Sequence, residues 1–140
     1  MNLSPGNDAR FQRGWDTLQK IDGKAAERVM YSMKDICPEL GEFIVSFAYG
    51  DVISRPALGL KERELITVVA LTAMGNAKPQ LIVHIGAALN VGCKPQEIVE
   101  AILQMAVYAG FPAALNAMCA AKEVFAERGL LPACEQEETT

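Results

Sequence analysis

Between Glu100 and Lys122 the chain runs for 21 residues without a charged side chain. A run of that length either crosses a membrane or packs inside protein. Its contents favour packing. Gln104, Tyr108 and Asn116 lie within it, and Gly110-Phe111-Pro112 interrupts it. Glycine suits the end of one helix and proline the first turn of the next. The run therefore reads as two buried helices, with no membrane span. Apolar excess extends over the whole chain: 51% of the 140 residues are hydrophobic and 21% are charged. Fifteen of the twenty alanines lie at or after Ala70. Small residues let helices approach closely, yet more faces are apolar than one subunit can bury. A homo-oligomer is expected, since obligate interfaces resemble a divided core.

The same numbers narrow the class. A disordered chain would be poorer in apolar residues. Four cysteines, Cys37, Cys93, Cys119 and Cys134, are too few and too scattered for a disulfide framework, a C-x-x-C pair or a zinc site. Net charge is −4, but Glu135, Glu137 and Glu138 carry three of the seventeen acids. The body is near neutral, so neither nucleic acid nor an anionic membrane is an expected partner. The first residues lack a basic stretch followed by an apolar one. A cytoplasmic protein with reduced thiols is the expectation.

Helix punctuation dominates the rest. Asp8 can cap a first helix to about Asp22, with Phe11, Trp15 and Leu18 on one stripe. A second, carrying Val29, Met30, Met33 and Ile36, runs to about Asp35. A third starts at Pro38 and stops near Tyr49-Gly50. A loop follows from Arg55-Pro56 to Gly59. The fourth helix spans Leu60 to Met74 and should be central, being apolar almost all round after Glu64; Gly75 suits its left-handed cap. The fifth runs from about Pro79 to Val91, the sixth from Pro95 to about Ala109, and the seventh from Pro112 to about Arg128. The expectation is a single all-α domain of six to seven helices over 8–131. A flexible arm precedes it at 1–7 and an acidic tail follows at 132–140.

The chain has one histidine, His84, in the fifth helix. A lone histidine on an apolar helix is commonly a core residue. Glu64, the last charge before the apolar part of the fourth helix, changes that balance. If helices four and five form a hairpin around Asn76, their axial offset is roughly 6 Å, which side chains can bridge. A carboxylate would then orient the imidazole for general acid/base work. The alternative for Glu64 is a first-turn carboxylate favoured by the helix dipole and paired with Lys61. Arg55, on its loop, could hold a substrate carboxylate. Gln80 lies one turn before His84, and Tyr108 and Asn116 flank the Gly110–Pro112 break; all three are candidate substrate contacts. No metal site and no cofactor are expected.

Three segments carry a family likeness: SRPALGLKERELITVVALTAMGN, QLIVHIGAALNVGC and EIVEAILQMAVYAGFPAALNA. They resemble the carboxymuconolactone decarboxylase family, within the alkylhydroperoxidase D-like superfamily, over roughly Arg10 to Arg128. The resemblance implies an all-helical fold in ring-like oligomers, here a hexamer, with trimer or dimer as alternatives. One branch resembles decarboxylases that release CO2 from 4-carboxymuconolactone without a cofactor. The other relays protons through a glutamate and histidine to a C-x-x-C pair. Carried over, that histidine falls on His84 and the glutamate on Glu64, but the two cysteines fall on Ala77 and Gln80. The decarboxylase branch therefore fits better, although Ile53 and Ala57 depart from its usual pattern. It implies His84 as general acid/base, Glu64 as its orienting partner, Arg55 as carboxylate anchor, and a small carboxylated substrate. A peroxidase using Cys93 or Cys119, and a non-enzymatic oligomeric binding module, are the competing readings.

Overall fold

A computed structural model of the chain describes residues 8–134. Residues 1–7 of the expected arm, and the acidic tail from Glu135 on, lie outside the described residues. Those described are all helical, with no strand: α1 (Ala9–Ile21), α2 (Ala25–Met33), α3 (Pro38–Phe43) running into a π-helical segment (Ile44–Ile53), α4 (Leu60–Met74), α5 (Lys78–Asn90), α6 (Pro95–Tyr108) and α7 (Phe111–Glu127). They form two compact units, one up to Leu60 and one from Lys61 onward.

In the first unit, the Asp8 carboxylate accepts from the Arg10 backbone N at 2.9 Å and caps α1. Phe11 and Leu18 of α1 pack with Ala26 and Val45, and Trp15, Val29 and Met30 close over them. Two expectations fail here. The third helix does not stop at Gly50 but continues to Ile53. Gly50 is used for contact, not for a turn. It meets the Arg10 carbonyl of α1, and Gly14 of α1 meets the Val45 carbonyl, each too closely for a Cβ. The wide turn is held by Ser54 N on Tyr49 O at 3.0 Å, and the Gly50 carbonyl accepts from Arg13 Nε at 2.7 Å and Ser54 Oγ at 2.6 Å. The second helix ends at Met33, two residues early, and Ile36 is 82% exposed instead of joining its stripe.

The second unit is built on α7. Ala114, Ala117, Ala120, Ala121, Val124 and Phe125 are all buried along it. All but Ala114 pack with Val68, Leu81, Ile85, Ala88, Ile98 and Ile102. Arg128 fastens the end of α7 to α5 through Asn90 Oδ1 at 2.8 Å and the Gly86 carbonyl at 3.3 Å. The expected central role of α4 is corrected. Only Glu64, Val68 and Thr72 are buried on it, one stripe at four-residue spacing, while Ile66 and Met74 are exposed. The alanines of α7, buried at about one per turn, leave room for neighbouring side chains to pack against it. The uncharged run likewise buries only part of its surface. Ile102, Ala114 and Ala117 face inward, but Leu103, Val107, Phe111 and Leu115 are exposed. No helix among the described residues is long and apolar enough to cross a membrane.

Candidate active site

The second unit brings Glu64 of α4 to His84 of α5. Glu64 Oε2 lies 2.8 Å from His84 Nδ1. The carboxylate is almost fully enclosed, its side chain 2% exposed, while the imidazole keeps 21% of its surface open. An enclosed carboxylate needs a partner to offset its lost hydration, and the imidazole supplies one. A proton on Nδ1 would be donated to Glu64, and the ring nitrogen left for chemistry would then be Nε2. One turn from His84, Ala87 and Ala88 are buried and add no bulk beside the ring.

The Lys61 pairing considered for Glu64 is not what the structure contains. Lys61 Nζ pairs instead with Glu97 Oε2 of α6 at 3.2 Å. Glu97 also accepts from the Lys94 backbone N at 2.9 Å. Those two contacts, the Lys94 amide first, hold its carboxyl below the usual carboxylate range.

The remaining candidates are dispersed. Gln80 is exposed on α5, one turn before His84. Tyr108 is 79% exposed at the C-terminal end of α6. Asn116 borders a cavity of about 30 Å³ lined also by Thr72, Leu81 and Ala113. Arg55 belongs to the first unit, on the exposed loop after the π-helical segment. Cys119 is exposed on α7 and lines an apolar cavity of about 260 Å³ with Phe125 and Leu131. Cys93 is buried. Its Sγ donates to the Lys61 carbonyl at 3.5 Å. Burial, and then the Glu97 charge, push the Cys93 thiol up. In sequence Cys93 reads as a buried small hydrophobe, or alternatively as a redox thiol, and this bond is not visible there. Its one signal was the position of Cys93 directly after the α5-terminating Gly92.

Similarity to known proteins bears on the same residues. The Carboxymuconolactone decarboxylase family profile matches residues 38–123, which include Glu64 and His84. The chain belongs to the carboxymuconolactone decarboxylase family. It is 35% identical over 127 residues to the 4-carboxymuconolactone decarboxylase of Acinetobacter baylyi, covering 90% of this chain and 94% of that protein. A nitrosuccinic acid decarboxylase of Metarhizium robertsii is 32% identical, with 84% of this chain and 85% of that protein covered. An uncharacterised 15.0 kDa protein of Paracoccus denitrificans is 34% identical, with 84% and 88% covered. Two of these three family relatives are thus named as decarboxylases.

Proposed function

We propose that this chain catalyses cofactor-free decarboxylation of a small carboxylated lactone, with 4-carboxymuconolactone the first substrate to test. The observation that carries the reading is the 2.8 Å contact between the enclosed Glu64 carboxylate and His84 Nδ1. In the proposed step, the bond between the substrate carboxylate and its ring carbon breaks and CO2 leaves. The electron pair passes into the system conjugated with the lactone carbonyl. His84, as imidazolium, delivers a proton from Nε2 to carbon and is reprotonated by solvent. Glu64 holds the ring orientation and stabilises the charged imidazole. Gln80, one turn before His84 on α5, supplies a further polar contact. The relatives named as decarboxylases support carboxyl loss as the reaction class.

Incubation with 4-carboxymuconolactone, followed by CO2 release, tests the proposal. Removal of a general acid/base lowers rates about 10²–10⁴-fold, and His84→Ala is expected to fall in that range. Absence of CO2 release, or full activity in His84→Ala, defeats the reading. A thiol peroxidase draws less support. Cys93 is enclosed and held protonated, whereas peroxide reduction needs a thiolate. Peroxide turnover lost on replacing Cys93 and Cys119 would reinstate it.

We also propose a homo-oligomer, a hexamer in the first instance. Leu103, Val107, Phe111 and Leu115 form an exposed apolar face on α6 and α7, with an apolar groove of about 450 Å³ beside it. Light scattering should return a multiple of 15.1 kDa, reduced by Val107→Glu. A single-chain mass for the parent overturns the proposal.

A further inference from the structure

The Glu64–His84 contact depends on where the first turn of α4 sits, and that turn is held at two other points. Lys61 and Glu64 are three residues apart, so they share a helix face. At Lys61 the main-chain carbonyl receives the Cys93 thiol at 3.5 Å. The Lys61 ammonium pairs with Glu97 at 3.2 Å. Cys93 is in turn fixed by its own backbone N on the Ala88 carbonyl at 2.9 Å, and it packs among Val68, Ile85 and Ile98. Gly92, at φ 103°, makes the turn that delivers it there. Glu97 is fixed by the Lys94 amide at the start of α6. One helical turn thus makes three contacts on one side: its backbone to the segment after α5, its lysine to α6, and its glutamate to His84.

We infer that Cys93, together with the Lys61–Glu97 pair, is the positioning device that sets the reach of Glu64 to His84. This rests on the proposed role of the Glu64–His84 couple. Cys93 acts as a hydrogen-bond donor and not as a nucleophile. Its enclosure keeps the thiol protonated, which is the form the bond requires. The long C–S bond and large sulfur of the thiol span the 3.5 Å to the Lys61 carbonyl. Serine retains the donor on a shorter arm, and alanine removes it.

The experiment uses the full chain and two readouts. The first is the low-field Nδ1–H proton resonance of His84, seen by NMR in protein labelled with ¹⁵N-histidine; it reports the Glu64 bond whether or not the protein turns over a lactone. The second is the split between kcat and KM for CO2 release. A misplacement of about 1 Å can lower a rate about 10²-fold. Cys93→Ala is expected to broaden or lose the resonance and to lower kcat about tenfold, with KM within about twofold. Cys93→Ser should recover the resonance and most of kcat. Cys37→Ser, a thiol of the first unit, should leave both unchanged. If Cys93→Ala does not fold, Glu97→Gln carries the test, with a smaller change in the same direction. A parent-like resonance in Cys93→Ala, or in Glu97→Gln where Cys93→Ala does not fold, overturns the inference. So does a Cys93→Ser protein as impaired as Cys93→Ala. If instead the parent shows the resonance but releases no CO2, the decarboxylase reading fails while the resonance still decides the role of Cys93.

Discussion

The two units achieve close helix packing by different means. In the first, α1 and the π-helical segment meet backbone to backbone at Gly14 and Gly50, and exposed charges ring the contact. Arg10 Nε bonds Asp51 at 3.0 Å, with Arg13 Nη2 at 3.4 Å from the same carboxylate. In the second, α7 meets its neighbours through alanine side chains, and the Glu64 side chain that meets His84 is enclosed. A backbone contact tolerates no added atom, since neither chain can step aside. A side-chain contact tolerates small changes, because neighbouring rotamers can adjust. An enclosed carboxylate, unlike an exposed one, can orient an imidazole with little competition from water for its own oxygens.

Four substitutions break or sharpen that comparison. Gly14→Ala should have the largest effect, a loss of about 3 kcal/mol in urea unfolding, because the new methyl must displace the Val45 carbonyl. Parent-like stability would show that the first unit is not closed by backbone contact. Ala120→Leu adds three heavy atoms to a fully buried site beside Ile98 and Ile102. Neighbouring side chains can yield in part, so about 2 kcal/mol is expected by the same measurement. An effect larger than that of Gly14→Ala would reverse the ranking of the two units. Gly75→Ala isolates pure conformational strain. The glycine sits at φ 74° with no atom near a would-be Cβ, so the loss should be about 1 kcal/mol.

Asp51→Asn should matter least, as an exposed pair does. Its pH dependence is distinctive. The Arg10 hydrogen bond, first, holds the Asp51 carboxyl below its usual range. The folded value thus lies under the unfolded one of about 3.9. The contribution is complete above that value and vanishes as pH falls through the folded value. Thermal melts of parent and variant should differ slightly at pH 7 and converge once the pH falls below the folded value. A difference that persists in acid would show that Asp51 acts through packing instead.

Much of the fold could be read locally. Helix ends at Met74, Asn90, Tyr108 and Glu127 lie within a residue or two of the positions marked by Gly75, Gly92, Gly110 and Gly129, because a glycine with positive φ stops a helix without reference to distant residues. Gly50 misled for the same reason. A glycine that caps and a glycine that admits another backbone are identical in sequence, and only the presence of α1 distinguishes them. The Glu64–His84 contact was foreseeable because the turn between α4 and α5 is short. A short turn fixes the axial offset of two helices from residue counting alone. The partner of Lys61 was not foreseeable, since Glu97 stands 36 positions away, on α6.

The sequence alone determined the helical class, most helix limits and the possibility of an acid/base couple on α4 and α5. Each follows from short-range sterics and from the periodicity of a helix. Tertiary structure decided which glycines are contacts, which helix is central, and that the Cys93 thiol is buried against the Lys61 carbonyl. Those outcomes depend on surfaces supplied by distant parts of the chain, and burial, which sets the strength of a charge or a thiol bond, exists only once those surfaces meet.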